Sequence, residues 1–103
     1  MKSKFEINSG YDLCALALAK YGISHMYGVV GRPVTQLARS AQAAGINFIA
    51  FHNEQAASIA AGASGFLQGY PGACLTVSGP GMVNALSGLV NATVNGFPLI
   101  LSN

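Results

Sequence analysis

The chain has 103 residues, enough for at most one small domain, and 51% of them are apolar. It can therefore build a core, which excludes a disordered or collagen-like protein. Only 8% of the residues are charged, against roughly 25% in an average soluble domain. The formal net charge of +2 comes from scattered residues with no basic stripe among aromatics, so nucleic-acid binding is not expected.

The charged residues all lie within the first 54 residues of the chain. From Gln55 to Asn103 there is no Asp, Glu, Lys, Arg or His. A free protein surface normally carries charge, so we expect this half to be covered by lipid, by another domain or by another subunit. A spanning helix needs about 20 continuously apolar residues, and asparagines, glycines and a proline interrupt the most apolar segment, 81–101. Protein is therefore the expected cover, and no membrane is expected.

The two cysteines and the chain ends bear on the compartment. Cys14 and Cys74 lie in apolar runs without a CxxC spacing, which predicts buried free thiols in a reducing compartment. Polar residues follow Lys2 and Lys4, where a signal peptide requires an apolar stretch. A cytoplasmic location is therefore expected. The last three residues do not match a peroxisomal address, and a peroxisomal location stays open if the natural C-terminus lies beyond them.

Helical and strand-like patterns alternate along the chain. Ser9 suits the N-cap of a first helix, in which Leu13, Leu16 and Ala17 recur at helical spacing. Pro33 suits the first turn of a second helix. The predicted elements are, in order, a helix over 10–21, a strand over 25–30, a helix over 33–45, a strand over 46–51, a helix over 54–69, a strand over 73–78, a helix over 82–95 and a strand over 98–101.

This alternation predicts an α/β fold of three layers: a parallel, Rossmann-like sheet with helices on both faces, and about four strands and four helices. The segment 73–78 is almost wholly apolar, as expected of a parallel strand that is covered on both faces. Such sheets usually have about five or six strands, and a hydrophobic edge strand left bare is a liability. We therefore expect residues 1–103 to be a domain truncated at its C-terminus.

Ligands of open parallel sheets bind beyond the carboxyl ends of the strands, where segments 30–33, 51–55 and 78–81 should converge. Glu54 begins a predicted helix there and has no charged partner nearby in sequence. It is either a first-turn acid that complements the helix dipole or a functional carboxylate that shares a proton with a ligand nitrogen.

The other polar features at this edge are less specific. Segment 78–81 is either a tight turn or a place where phosphate approaches a helix N-terminus, and it has neither GxGxxG nor a Walker lysine. Asn84, Asn91 and Asn95 share one helix face, as ligand contacts or as interface hydrogen bonds. His25 and His52 are not spaced as metal ligands, and no Ser-His-Asp order is present, so no metal site is expected.

Five short motifs occur in order and carry a family resemblance. They are GVVGxPVT at 28–35, NEQxA at 53–57, PGxCL at 71–75, SxPG at 78–81 and NATVNGFP at 91–98. Together they resemble the N-terminal pyrimidine-binding domain of decarboxylase-like thiamine-diphosphate enzymes, over essentially the whole chain. Within these enzymes the chain is most similar to the oxalyl-CoA decarboxylases, on the NATVNGFP run. It is next most similar to the 2-hydroxyacyl-CoA lyases, which Asn53 and Gly79 resemble more.

The resemblance implies a catalytic role for Glu54. The matching glutamate hydrogen-bonds N1′ of the cofactor's aminopyrimidine and favours the tautomer that removes the thiazolium C2 proton. Pro80 and Asn84 would lie beside the pyrimidine, and segment 30–33 beside the thiazolium and the substrate. The implied cofactor contacts are Val30, Gly31, Pro33, Glu54, Pro80 and Asn84.

The resemblance also implies a reaction and partners. The reaction would convert oxalyl-CoA to formyl-CoA and CO₂, or cleave a 2-hydroxyacyl-CoA to formyl-CoA and an aldehyde. The diphosphate and Mg²⁺ would be held by the pyrophosphate-binding domain of another subunit, in a homodimer or homotetramer, so this chain alone would be inactive. Arg32 stands where the family usually has Ile, and His52 where it has Arg, so the acyl-CoA substrate stays open.

The residues alone leave two other interpretations open. The chain could be a non-catalytic α/β module that binds a nucleotide or a protein through the turn at 78–81 or its uncharged face. It could also be a non-functional truncated product, which would fit the bare edge of the predicted sheet.

Overall fold

The computed structural model describes residues 7–31 and 34–102. All eight predicted elements are confirmed in type and order. They are α1 (Gly10–Lys20), β1 (His25–Gly28), α2 (Thr35–Ala43), β2 (Asn47–Ala50), α3 (Glu54–Gln68), β3 (Gly72–Leu75), α4 (Pro80–Asn95) and β4 (Leu99–Ser102).

The four strands form one parallel sheet in the order β2-β1-β3-β4. From β1 the chain crosses to β2 at one edge, and it then returns through α3 to β3 on the other side of β1. The direction of winding therefore reverses between β1 and β3. At such a switch point the two connecting loops separate and leave a crevice at the carboxyl ends of the strands.

Helices cover both faces of the sheet, which confirms the three-layer prediction. Successive residues of a strand point to opposite faces, and Leu75 packs into a core with α1 and α2, while its neighbour Cys74 packs against Ala57 and Ala61 of α3. The whole of β3 is buried, as its apolar sequence predicts. The second of these cores holds α3 over β3 and β1, so the start of α3 has a defined place beside the switch point.

Several element ends differ from the prediction at the carboxyl edge of the sheet. The strands β1 and β3 end at Gly28 and Leu75, because the chain turns there toward α2 and α4. A side chain on Gly28 would collide with the carbonyl oxygen of Leu75, so glycine allows these two strands to approach each other. The helix α4 begins at Pro80, two residues earlier than predicted, since proline lacks the N–H that the first turn leaves unpaired.

One prediction about α1 is wrong, because Cys14 is exposed rather than buried. Leu13 on the same helix is also 58% exposed. The buried side of the helix is formed by Ala15, with Leu18 packed beside it. The reason is that α1 contacts mainly α2, so only a narrow stripe is covered. Cys14 is rotated by about 100° from Ala15 around the helix axis and falls outside that stripe.

The helices α3 and α4 pack closely against each other and expose apolar residues on their outer side. Gly88 of α4 lies against Ser58 of α3, and Gly62 of α3 lies against Ala92 of α4. The exposed large apolar residues are Ile59, Phe66, Leu67, Val83, Leu86, Val90 and Val94. Within residues 7–31 and 34–102, no helix is both long enough and apolar enough to cross a membrane.

Candidate functional site

Glu54 is the first helical residue of α3, because Asn53 caps the helix. Asn53 has extended backbone angles, and its side-chain oxygen accepts a hydrogen bond from the amide of Ala56 at 3.1 Å. This is the usual chemistry of an N-cap, which satisfies one of the unpaired N–H groups of the first turn. The carboxylate of Glu54 therefore lies at the positive end of the α3 dipole, next to the carboxyl edge of the sheet.

The carboxylate of Glu54 is held by α4. The side-chain amide of Asn84 donates a hydrogen bond from Nδ2 to Oε1 of Glu54 at 3.0 Å, across 30 residues of sequence, and both side chains are half-buried. The other oxygen, Oε2, lies 3.4 Å from the position that a Cβ on Gly81 would occupy. Gly81 therefore keeps the space beside Oε2 free of a side chain.

Cys74 of β3 lies on the side of the sheet that is covered by α3, the helix that carries Glu54. It is a buried free thiol, as the sequence predicts. Burial, and to a smaller extent the negative charge of Glu54, together raise the pKa of Cys74 to about 12. The thiol is therefore neutral at physiological pH. Cys74 packs against Ala57, about one helical turn after Glu54, so the start of α3 lies close to the end of β3.

Val77 joins the two sides of the crevice, and the sequence analysis did not identify it. A Cβ on Gly31 would lie 2.9 Å from Cγ2 of Val77, and a Cβ on Gly81 would lie 3.7 Å from Cβ of Val77. The side chain thus packs between the loop after β1 and the first turn of α4. The sequence does contain a feature that points to Val77. It is the last apolar residue after β3, directly before the turn at the switch point.

The structure therefore brings Gly31, Gly81, Glu54 and Asn84 into one contiguous site with Val77. Val30, which precedes Gly31, is 45% exposed. The predicted contacts also include Pro80, which is exposed at the start of α4 next to Gly81, and Pro33, which lies outside the described residues together with Arg32.

Among the described residues, the other polar side chains singled out by the sequence make no hydrogen bond to this pair. His52 is exposed. Asn91 and Asn95 are exposed on α4, and the side-chain amide of Asn95 donates to Oδ1 of Asn91 at 3.1 Å. Of the three asparagines on this helix face, only Asn84 hydrogen-bonds to Glu54. Within the described residues, no three His, Cys, Asp or Glu side chains form a group that could hold a metal ion.

The hydrogen-bonding groups of this site suit a nitrogen heterocycle. A carboxylate accepts hydrogen bonds and favours partners that carry an N–H group, and Glu54 presents Oε2 for that purpose while Asn84 occupies Oε1. The surroundings are aliphatic or glycine, so a hydrogen bond to the carboxylate would form in a medium of lowered dielectric and be strengthened. The residues present therefore fit a flat, hydrogen-bond-donating ring that lies against an apolar wall.

The sequence matches known proteins over nearly its whole length. Residues 8–101 match the family described as thiamine pyrophosphate enzyme, N-terminal TPP binding domain. The oxalyl-CoA decarboxylase of Escherichia coli (strain K12) is 52% identical over 101 residues, which are 98% of this chain and 18% of that protein.

Two 2-hydroxyacyl-CoA lyases show a similar degree of identity. The 2-hydroxyacyl-CoA lyase of Arabidopsis thaliana is 58% identical over 92 residues, which are 89% of this chain and 16% of that protein. The 2-hydroxyacyl-CoA lyase 1 of Homo sapiens is 47% identical over 93 residues, 90% of this chain and 16% of that protein. The chain thus spans less than a fifth of the length of these relatives.

Proposed function

The chain belongs to the N-terminal TPP binding domains of the thiamine pyrophosphate enzymes, and from this premise we propose that it binds the aminopyrimidine part of thiamine diphosphate through Glu54. The observation that carries the proposal is the hydrogen bond from Asn84 to Oε1 of Glu54. It fixes one carboxylate oxygen and presents the other beside Gly81, at the switch point of the sheet.

Each residue of the site then has a separate task. Glu54 accepts a hydrogen bond from the N1′ position of the ring, and it is oriented by Asn84 and by the positive end of α3. Gly81 lets the ring approach, and Val77 with Gly31 supplies the apolar wall. When bound, thiamine diphosphate supplies a thiazolium carbon that serves as nucleophile and electron sink. The residues of this chain bind the pyrimidine end and hold its proton, and Val30, together with Pro33 on the strength of the family resemblance alone, is proposed to contact the thiazolium part.

We further propose that the whole protein is a thiamine-diphosphate-dependent carbon–carbon lyase acting on an acyl-CoA. Oxalyl-CoA decarboxylation is the first candidate, supported by the NATVNGFP run at 91–98. Cleavage of a 2-hydroxyacyl-CoA is the second, supported by the 58% identity to the Arabidopsis lyase. Incubation of the full-length protein with each substrate separates them, because CO₂ is released only from oxalyl-CoA and an aldehyde only from a 2-hydroxyacyl-CoA.

The partner in this proposal is the pyrophosphate-binding domain of another subunit. That domain would hold Mg²⁺ and the diphosphate, and the assembly would be a homodimer or a homotetramer. The apolar residues exposed on α3 and α4 support a protein cover for this part of the domain. Sedimentation of the full-length protein with and without thiamine diphosphate and Mg²⁺ tests the assembly, and a protein that stays monomeric while loaded would contradict it.

The role of Glu54 is tested by Glu54→Gln in the full-length protein. The amide keeps the shape of the side chain but cannot hold the proton shared with N1′. We expect exchange of the C2 proton of bound thiamine diphosphate for deuterium, followed by NMR, to slow by about 10²–10⁴-fold, the range of a lost acid–base group.

The matched control is Asp12→Asn. It makes the same chemical change at another first-turn carboxylate, on α1, and should leave the exchange rate unchanged. An unaltered exchange rate in Glu54→Gln would refute the catalytic role.

A further inference from the structure

The side-chain hydroxyl of Thr76 is buried and lacks a hydrogen-bond partner among the described residues. Thr76 follows β3, its residue is completely buried, and its backbone amide donates to the carbonyl oxygen of Ser102 at 3.0 Å. Its side-chain oxygen, however, has no hydrogen-bond partner among residues 7–31 and 34–102. Buried hydroxyls are nearly always paired, and an unpaired one destabilises the folded state. Valine would fill almost the same volume without that disadvantage, so the hydroxyl needs a reason.

The position of Thr76 places its side chain on the side of the sheet covered by α3. Leu75 and Val77 both pack in the core with α1 and α2, whereas Cys74 packs against α3. Because side chains alternate along an extended chain, Thr76 points to the same side as Cys74. It also lies nearer than Cys74 to the carboxyl ends of the strands, where the Glu54 carboxylate is located.

Two contacts bring Thr76 near the Glu54–Asn84 pair. Cys74, two residues before Thr76, packs against Ala57, which lies about one helical turn after Glu54 on α3. The next residue, Val77, approaches Gly81, which in turn adjoins Oε2 of Glu54. Thr76 therefore lies between residues that both reach the surroundings of the carboxylate. On α3, which covers this side of the sheet, the buried hydroxyl of Ser58 already donates a hydrogen bond to the carbonyl oxygen of Gln55 at 3.0 Å.

We propose that Thr76 is a positioning residue for the Glu54–Asn84 pair, to which its hydroxyl donates a hydrogen bond through one buried water. Such a water needs two to four polar partners, and the Thr76 hydroxyl, the Glu54 carboxylate and Oδ1 of Asn84 supply three. The water holds Glu54 so that Oε2 faces the ligand. What the ligand is rests on the proposed function, but the hydrogen bond itself does not require a ligand.

The test is a double-mutant cycle in the full-length protein. Thr76→Val removes the hydroxyl at constant shape, Thr76→Ser keeps it, and each is combined with Glu54→Gln. Calorimetric titration with thiamine diphosphate and Mg²⁺ should give a Kd raised about fivefold in Thr76→Val, the equivalent of about 1 kcal/mol for one hydrogen bond. Thr76→Ser should stay within about twofold of the unmodified protein. In the Glu54→Gln background, Thr76→Val should have a smaller effect on Kd, because a neutral amide oxygen accepts a weaker hydrogen bond than a carboxylate.

Thermal melting of the same variants without ligand separates this proposal from the proposed function. If Thr76 acts on Glu54, Thr76→Val lowers Tm more in the unmodified background than beside Glu54→Gln. If the hydroxyl is simply unpaired, Thr76→Val keeps or raises Tm equally in both backgrounds, and the proposal is wrong. It is equally wrong if Thr76→Ser fails to restore Tm and Kd.

A protein that binds no thiamine diphosphate in any variant overturns the proposed function, and the melting cycle still decides the role of Thr76. If Thr76→Val does not fold, Thr76→Ala replaces it, and its Tm and Kd are compared with those of Thr76→Ser in the same way.

Discussion

Asp12 joins the first two helices through a single short hydrogen bond. Its carboxylate accepts a bond from the hydroxyl of Ser40 on α2 at 2.6 Å and another from the amide of Asn8 at 2.9 Å. The Ser40 hydroxyl is the main cause that lowers the pKa of Asp12 below its ordinary value of 3.8, and the Asn8 amide adds to it. A hydrogen bond to a carboxylate favours its charged form, so this contact makes the docking of α1 depend on pH.

We predict that Ser40→Ala lowers Tm at pH 6 by a few degrees, because α1 loses its bond to α2. The folded-state pKa of Asp12 is depressed, so its stabilising contribution is fully present above pH 3.8 and is lost as the pH falls through the lower folded-state value. The difference in Tm between the unmodified protein and Ser40→Ala should therefore shrink below pH 3.8. Ser87→Ala, at an exposed serine of α4, is the control and should show no such pH dependence. A constant difference between pH 6 and pH 2.5 would contradict the prediction.

At the scale of elements, the packing of α3 on α4 determines the geometry of the Glu54–Asn84 pair, since each helix supplies one partner. The two helices approach closely because small residues meet at the contact, most closely at Gly88 and Ser58. Any side chain larger than hydrogen at Gly88 would overlap the Ser58 hydroxyl and press on the backbone of Ile59. The absence of a side chain at Gly88 therefore allows α3 and α4 to lie this close together.

We predict that Gly88→Ala destabilises the protein by about 1–3 kcal/mol, the usual cost of overpacking, although alanine favours a helix over glycine. Combining it with Ser58→Ala should recover part of the loss, because the nearest overlap is with the Ser58 hydroxyl. Urea unfolding measures the free energy of unfolding of the single and the double variant. Gly10→Ala is the matched control, since a Cβ there meets nothing within 4 Å. Equal effects of Gly88→Ala and Gly10→Ala would show that the contact is not tight.

The periodicity of the chain predicts all eight elements, and their ends differ where tertiary contacts intervene. The end of β1 at Gly28 depends on its close approach to Leu75, which is 47 residues away in the chain. Part of the site is equally predictable. Glu54 follows a capping asparagine and precedes a long uncharged segment, so it is recognisable from local chemistry. Its bond to Asn84 is not, because it depends on the crossing of two helices.

At the scale of the whole molecule, the two cysteines report on different parts of the fold. Cys14 is exposed on α1, and Cys74 is buried between the sheet and α3. Burial and the charge of Glu54 raise the pKa of Cys74 to about 12. The thiolate is the reactive form of cysteine, so Cys74 is protected both by its low thiolate fraction and by its position in the core.

We predict that Cys14 reacts with iodoacetamide at pH 8 at the rate of an ordinary exposed thiol, whereas Cys74 reacts only when the protein unfolds. Peptide mass spectrometry follows each site separately. In Cys14→Ser the labelling of Cys74 should accelerate with urea in parallel with the loss of circular dichroism. Rapid labelling of Cys74 in the native protein would show that the α3 side of the sheet opens, and that the Glu54 site is not held as described.

The amino-acid sequence by itself determined the type and order of the elements and the place of Glu54 at the start of α3. These follow from periodicity, caps and turn residues, which act over a few neighbouring positions. Only the tertiary structure decided that Asn84 holds Glu54 and that Val77 joins the two sides of the crevice. It also decided that the buried Thr76 hydroxyl has no partner within residues 7–31 and 34–102, and that Cys14 is exposed. Each of these depends on which faces meet and how closely, and that is fixed by packing between residues far apart in the chain.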